Sequence, residues 1–428
     1  MKVIVIGAGV VGVTTAYRLC KAGHEVVLLD AFDTPGQGTS YANGGQLSFD
    51  YRTPIANLSV LKSMPKILLG QDPAFSVSLL QTVAFYRWGL SFLYECLPHR
   101  SSASSSAMQA LGKLSRQRFY ELVEDTKIHF DYRKNAGKLY AYDTAVAFEQ
   151  AKQASSSPSM LSKELHAHYK VFNTSSLLVG GVFDPDEDVG DCQQFSKNLV
   201  RYLIEHYQLT FFSDCRVESI EDANKKITSL TTNKGTFEAD RYVLCTGVGS
   251  NALLRQLNIH LPIASMKGYS VTVPAAKQCP DVSVTHTDKK TVYCKLGDRL
   301  RIAGFADFSS ASKASDIQVK TDELLHNARA YLPHAGDYDR VLDRWCGERP
   351  VTPDSLPIVG KSGIENLYFN VGHGMLGWTY SSGTADLLMQ SMNSEIVDKS
   401  VSDASDSAIL DRATFSEITP ENYAFSRF

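Results

Sequence analysis

The chain has 428 residues, 43% of them hydrophobic and 21% charged, with a formal net charge of -3. That length buries a large core and predicts two domains, while so balanced a charge excludes the clustered basic excess that marks a nucleic-acid binder. The eight cysteines (20, 96, 192, 215, 245, 279, 294 and 346) are dispersed without a C-x-x-C pair, which argues against a zinc centre or a disulfide framework and for a reducing compartment.

The opening "MKVIVIGAGVVG" is apolar after one lysine, yet glycines interrupt it where a signal peptide carries its apolar region, and no small-residue cleavage site follows. A cytoplasmic protein is expected. Residues 2–30 predict strand, glycine turn, helix and strand in that order. Val3 to Ile6 form the continuous apolar run of a strand buried on both faces. Gly7, Gly9 and Gly12 fit G-x-G-x-x-G: one for the tight turn, one for close approach to a pyrophosphate, one for packing helix on strand. Asp30 closes the second strand, where an acid hydrogen-bonds a ribose hydroxyl. The alternative is packing glycines with Asp30 merely solvated. The motif does not choose between NAD and FAD, but "TPGQGTSYANGGQLSF" follows where an NAD enzyme runs into its next helix. Its Ser40, Asn43, Gly44, Gly45 and Gln46 predict a polar loop along a ribityl chain and flavin ring, against an ordinary surface loop.

Residues 78–97, "SLLQTVAFYRWGLSFLYECL", are long enough to raise a membrane question. A spanning helix would bury Gln81, Arg87 and Glu95 at prohibitive cost, so a core or surface amphipathic helix is expected, with interfacial docking left open by Phe85, Tyr86, Trp88, Phe92 and Tyr94. The serine-rich pieces 101–108 and 154–160 predict loops or exposed helix starts. His166 and His168 would face one way on a strand, but with no third ligand they read as solvated surface, and no metal is expected. Residues 188–207 predict a helix capped by Asp188 or Asp191. Residues 209–254 predict short strands with an Asn-Lys-Gly turn, ending at Thr246-Gly247 in a sheet that returns to the nucleotide. Residues 291–308 predict two strands joined at Gly297-Asp298. "VGHGMLGWTYSSG", 371–383, places four glycines, a histidine and a tryptophan together, which is either a plain strand-to-helix turn or a backbone bared for a ligand. The polar tail after about residue 400 is expected to be only locally ordered.

Seven blocks in order carry a family likeness: "VIGAGVVGVTTAYRLCKAGHEV", "TSYANGGQLS", "GGVFDPDEDVGDCQQFSKNL", "PIASMKGYSVTVP", "RLRIAGFADF", "WCGERPVTPDSLPIVG" and "LYFNVGHGMLGWTYSSGTADLL". With these the chain resembles the FAD-dependent D-amino-acid dehydrogenases of the small-subunit type, within the group of glycine oxidase, sarcosine oxidase and D-amino-acid oxidase. The resemblance implies an α/β fold, α+β overall, in which a Rossmann-type FAD-binding domain (1–50, 185–262 and 340–400) and a mostly antiparallel substrate domain (51–184 and 263–339) are both discontinuous, with 401–428 as a tail. It implies FAD held non-covalently, Gly372, His373, Gly374 and Gly377 against the flavin, Val217, Thr246 and Gly247 elsewhere along the cofactor, and a helix N-terminus toward the ring's N1–C2=O end. A cysteine linkage at Cys294 or Cys346, known in the sarcosine branch, matches no attachment block.

Arg349 of "G-x-R-P" is the implied clamp on a substrate carboxylate, the alternative being a structural ion pair with Glu348 or Asp354. Tyr51 and Tyr269 are implied as phenol donors or pocket walls. Lys267 either reaches the flavin through water or is exposed. Asp50, Arg52 and Glu348 depart from the small or apolar residues of comparable members and leave specificity open, a D-proline-like or hydroxyproline substrate included. The implied reaction is oxidative deamination of D-amino acids to 2-oxo acids by hydride transfer to flavin N5, with electrons passed to a quinone-type acceptor and peripheral membrane or partner-subunit docking. The alternatives are an oxidase using O2 and releasing H2O2, and a flavoprotein that acts on or scaffolds a protein partner.

Overall fold

A central strand covered on both faces must be apolar throughout, and Val3, Ile4, Val5 and Ile6 meet that demand at 0–3% exposure. The computed structural model describes residues 1–72, 75–78, 81–154, 157–169, 171–172, 178–309, 314–400 and 418–428. Lys2–Ile6 lies inside a six-stranded sheet whose spatial order is Ile358–Lys361, Leu367–Val371, Arg241–Leu244, Lys2–Ile6, Glu25–Leu29, Thr210–Phe212. Its pairings are parallel except that of Ile358–Lys361 with Leu367–Val371. Val3, Val5, Val26 and Leu28 pack against the helices Val10–Lys21, Cys192–Tyr207 and Gly377–Ser400. On the opposite face Ile4, Ile6, Val27 and Leu29 meet Val217, Ile220, Ile227 and Leu230. Those last residues belong to a separate three-stranded antiparallel sheet, Val217–Ala223, Lys226–Thr232 and Gly235–Phe237. The expected single returning sheet is thus two: only Arg241–Leu244 joins the nucleotide sheet.

The second large sheet has nine strands and is mostly antiparallel. Its order is Asp343–Val351, Ala264–Pro274, Arg299–Phe308, Thr291–Leu296, Ser283–His286, Lys138–Tyr142, Gly180–Asp184, Ser159–Leu161, with Phe75–Val77 beside Arg299–Phe308. The fold is therefore α/β in its nucleotide half and α+β overall, with both sheets assembled from distant parts of the chain. The hairpin at Gly297-Asp298 is present. Opposite Ala264–Pro274 the Arg299–Phe308 strand carries an extra residue, because Tyr269 pairs with Gly304 but Lys267 with Asp307. Phe305 sits in that bulge with φ +65°.

Several local expectations are corrected. The serines of 101–108 take the helix-start alternative and not the loop: they open a 29-residue helix, Pro98–Thr126, where Pro98 presets the first turn and only Ser104 of them is buried, and Ser106 Oγ donates back to the Ser102 carbonyl at 3.2 Å, so the hydroxyl is satisfied inside the helix. In the 154–160 piece, Ser155 and Ser156 lie outside the described residues. The helix expected from 188 starts at Cys192, capped by Asp191, whose Oδ1 accepts from Gln193 and Gln194 N–H at 3.0 Å. Asp188 is instead occupied by the Tyr132 hydroxyl at 2.8 Å and the Asn135 amide at 2.7 Å. His166 and His168 lie on a helix, Ser162–His168, where residues two apart point in different directions. The tail's 401–417 lie outside the described residues, but its end docks: Tyr423 is 1% exposed and donates to the Ala107 carbonyl at 2.7 Å. Arg427 pairs with Asp354 at 2.7 Å.

Candidate active site

A cavity of about 1160 Å³ runs from the glycine turn of the first strand to the nine-stranded sheet. That exceeds the roughly 300–1,000 Å³ usual for one small ligand and leaves room for a dinucleotide with a substrate beside it. Its walls include Gly7, Gly9, Asp30, Ser40, Asn43, Gly44, Gln46, Val217, Thr246, Gly247, Gly372, His373, Gly374 and Gly377. Gly12 and Gly45 stand behind the wall. A β-carbon on Gly12 would meet the Gly7 carbonyl at 1.8 Å, so it packs helix on strand. One on Gly45 would meet Cys294 Sγ and Leu296 at 3.1 Å. Gly9 differs: a β-carbon there would have only an ordinary 3.5 Å contact with Ser40 Oγ, so nothing in the protein demands its bareness, and its free side is the cavity.

The individual side chains show how this wall is built. Asp30, half-buried, accepts the Ala8 amide through Oδ2 and the Phe32 amide through Oδ1 at 2.9 Å, and burial raises its pKa against those bonds. It therefore braces the glycine turn as well as facing the cavity. Ser40 Oγ accepts from Val10 N–H at 3.0 Å, so it caps the first helix. Asn43 Oδ1 accepts the Gly45 amide at 3.1 Å, and Gln46 Nε2 donates to Ser283 and Thr285 hydroxyls at 3.0 and 3.2 Å, tying the polar loop to the second sheet. His373 is buried, bonded through Nε2 to Thr384 Oγ1 at 3.0 Å, and burial lowers its pKa to about 3, so it is neutral. The helix Gly377–Ser400 begins at the cavity, with Gly377, Trp378 and Thr379 on its wall. Asn370 Oδ1 and Trp378 Nε1, both buried on that wall, have no hydrogen-bond partner among the described residues. A bared glycine turn, a helix N-terminus and unsatisfied buried polar atoms around one elongated cavity fit a dinucleotide flavin.

The nine-stranded sheet supplies the opposite wall. Arg349, on Asp343–Val351, lies across the neighbouring strand at Gly268, where a β-carbon would meet its Nη2 at 2.1 Å. Nη1 donates to the Phe305 carbonyl at 2.9 Å, which the bulge turns toward it. Arg349 forms no ion pair among the described residues. Burial lowers its pKa to about 10, which still leaves it charged at neutral pH. Neither alternative partner holds it: Asp354 is taken by Arg427, and Glu348 is exposed. Tyr51 and Tyr269 line the same cavity. Tyr269 donates its hydroxyl to Asp307 at 2.9 Å, so it presents a ring more than a free phenol. Burial raises the Tyr51 pKa. Lys267 lies off the cavity wall, with Nζ 3.3 Å from Ser309 Oγ. Cys346 lines the cavity and Cys294 does not, and all eight cysteines are free.

The sequence reading missed Lys138, Tyr140, Thr285, Thr287 and Lys290, which complete the sheet wall. The one available signal was the alternation in "KLYAY": Leu139 and Ala141 enter the core, so Lys138 and Tyr140 must share the other face. Elsewhere Asp143, His286 and Asp288 bring ligand-type atoms within 4.8 Å of one another. They are internally bonded, His286 Nε2 to Asp143 Oδ2 at 2.7 Å and the Asp143 amide to Asp288 at 2.9 Å.

Comparison with known proteins agrees with a flavin-binding fold. The chain is 37% identical over 403 residues to a D-amino acid dehydrogenase of Paramagnetospirillum magneticum, spanning 91% of this chain and 94% of that protein. It is 34% identical over 407 residues to D-amino acid dehydrogenase 2 of Ralstonia nicotianae, spanning 91% and 95%. The crystal structure of glycine oxidase from Geobacillus kaustophilus superposes with a TM-score of 0.68 at 20% identity, over 96% of this chain and 97% of that one, a likeness of fold. The model of the family described as FAD dependent oxidoreductase matches residues 2–391, and the chain belongs to that family.

Proposed function

We propose that the protein oxidatively deaminates D-amino acids to 2-oxo acids, with FAD as its cofactor and Arg349 as the anchor of the substrate carboxylate. The observation that carries this reading is the half-buried guanidinium of Arg349, which lines the cavity with a main-chain carbonyl but, among the described residues, no carboxylate of its own. A buried unpaired cation is costly unless a ligand supplies the counter-charge, and a planar fork matches a carboxylate bidentately. The D-amino acid class comes from the relatives' names.

Bound flavin supplies the acceptor for the hydride that leaves the substrate's α-carbon. The protein's part is positional. Arg349 fixes one end of the substrate, and the Tyr269 ring, held by Asp307, and Tyr51 wall the space beside it. The N-terminus of Gly377–Ser400 places a positive dipole end at the cavity, which would favour negative charge on a bound cofactor. The substrate amine must be neutral before its lone pair can expel hydride, and the apolar cavity around a fixed cation disfavours the ammonium form. The imine hydrolyses in water. In this reading the six-stranded sheet and its helices form the nucleotide unit and the nine-stranded sheet the substrate unit.

The electrons are passed to a quinone-type acceptor at a membrane surface. What supports this is the helix Val83–Glu95, which buries Trp88, Phe92 and Glu95 and turns Val83, Tyr86, Leu90 and Tyr94 outward at 51–70% exposure. Arg87 of the same helix is exposed too, as an anionic lipid surface would favour. No described helix is long and apolar enough to cross a membrane.

The test is a visible spectrum of the purified holoenzyme under anaerobic D- and L-amino acids. Bleaching by D-isomers, lost in Arg349→Ala, is the expected result. A flavin that no amino acid bleaches, or an Arg349→Ala variant with unchanged turnover, would overturn the reading. Turnover that needs O2 and yields H2O2 would overturn the acceptor alone.

A further inference from the structure

The nine-stranded sheet places an apolar wall beside the Arg349 fork. In this part of the sheet four strands lie side by side: Asp343–Val351, Ala264–Pro274, Arg299–Phe308 and Phe75–Val77. Arg349 starts on the first, crosses the second at Gly268 and reaches the third, where Nη1 meets the Phe305 carbonyl at 2.9 Å. Ala306 is the next residue, and Phe75 is its partner on the fourth strand. Neighbouring strands are about 4.8 Å apart, so Phe75 stands roughly one strand spacing beyond the residue that holds the fork. One amino-acid side chain spans that distance.

Fork and wall share one face of the sheet. Met266 lies directly opposite Arg349 in the strand pairing, and cross-strand partners share a face. Met266 packs in one apolar cluster with Ile55, Val60, Phe75 and Ala306, and those four also line the cavity. The polar side chains around them are already engaged. Asn57 Nδ2 donates to the Pro54 carbonyl at 2.7 Å and its Oδ1 accepts the Val60 amide at 3.1 Å. Lys290 Nζ stands 3.6 Å from Asp72 and 3.9 Å from the Phe75 ring centroid, so the apolar stretch ends at that ring. Thr53 is exposed. A polar group entering here gives up water for little in return, whereas a methylene chain gains by burial.

We propose that Ile55, Ala306 and Phe75 form the side-chain subsite of the amino-acid pocket, that it selects D-amino acids with extended apolar side chains over alanine and over acidic ones, and that Phe75 sets the length it accepts. This rests on the reading of Arg349 given above, and it names the substrate class for that site. Ala306 is the small residue that keeps the entry open beside the fork. Phe75 is the large one that ends the subsite, held in place by the Lys290 ammonium over its ring.

The experiment uses the holoenzyme and ligands that carry no amine to oxidise. Straight-chain monocarboxylates from acetate to octanoate are titrated while the flavin absorption band is followed. Each added methylene should tighten binding about three- to fourfold until the chain meets Phe75, where the gain stops. Phe75→Ala should move that stop to a longer chain, and Ala306→Leu to a shorter one. With amino acids, kcat/KM for D-norleucine should exceed that for D-alanine at least about tenfold. A flat carboxylate series in the unaltered enzyme overturns the proposal, and needs no variant to fold. So does D-alanine turned over as well as D-norleucine, a dicarboxylate bound tighter than the monocarboxylate of equal length, or a stop that stays where it was in both variants. Failure of the functional reading looks different: carboxylate binding then persists in Arg349→Ala and no amino acid bleaches the flavin.

Discussion

The Arg349 guanidinium occupies the space a side chain at Gly268 would take, with Nη2 2.1 Å from where that β-carbon would stand. Gly268→Ala must therefore push the fork aside while leaving its charge and the strand in place. Because a displacement of about 1 Å at a positioning group can cost on the order of 100-fold, kcat/KM for D-amino acids should fall by about that factor, with flavin content unchanged. Steady-state kinetics beside the flavin absorption ratio checks this, and unaltered kcat/KM would mean that Arg349 does not hold substrate.

Asp30 accepts two main-chain N–H groups at the glycine turn. Asp30→Asn can turn an N–H against one of those donors, leaving a donor facing a donor at a cost of about 1–3 kcal/mol. The dissociation constant for FAD should rise roughly 10- to 100-fold, read by ultrafiltration and flavin fluorescence.

His373 governs part of the acid limb of stability. Its pKa falls from 6.5 in the open chain to about 3 in the fold, through burial. Between those values the unfolded chain binds a proton that the folded one refuses, so stability present above pH 6.5 is lost as pH falls toward 3, by up to about 1.4 kcal/mol per pH unit. Glu187 runs the other way: burial raises it from 4.5 to about 7, and its contribution, full below 4.5, is lost as pH rises through 7. In His373→Gln the first slope disappears. Urea midpoints should show the gap between wild type and variant shrinking by about 2 kcal/mol from pH 7 to pH 5, and a constant gap would refute the assignment.

Arg427 closes the C-terminal end onto Asp354, whose side chain is only 7% exposed. Arg427→Ala strands that carboxylate and should cost about 2–3 kcal/mol, seen as a lower urea midpoint, whereas Arg427→Lys recovers part of it.

If the outer face of Val83–Glu95 meets lipid, the double variant Leu90→Glu with Tyr94→Glu should reduce co-sedimentation with anionic vesicles at least about tenfold. Reduction of the flavin by D-amino acids should not change. Equal sedimentation of the two proteins would remove this face from the acceptor reading.

The nucleotide wall was legible because its function is written in backbone: glycines at fixed offsets, an acid at a strand end, a polar loop in place of a helix. The substrate wall was legible only in part. Arg349 stood out through its motif, but Lys138 begins a strand whose polar face looks, in one dimension, like any solvent-facing edge. Only the tertiary fold turns that face into a cavity. Lys267 was expected either to reach the flavin through water or to be exposed; it is 2% exposed and lies off the wall, next to a bulge that no local pattern announces. The serines of 101–108 left loop and helix start both open for a related reason: what decides for the helix is burial of Ser104, Ala107 and Met108 along one side of it, against the serines' preference for caps and turns.

The Phe305 carbonyl steadies the Arg349 fork without neutralising it, since a dipole carries no net charge. The resting pocket therefore keeps a full positive charge in apolar surroundings. A plain amine, the decarboxylated counterpart of an amino acid, brings only a second positive charge when protonated and nothing to offset the first. If Arg349 anchors the substrate carboxylate, such molecules would be turned away by repulsion and not by size, and biogenic amines small enough to fit would neither compete with substrate nor reduce the flavin.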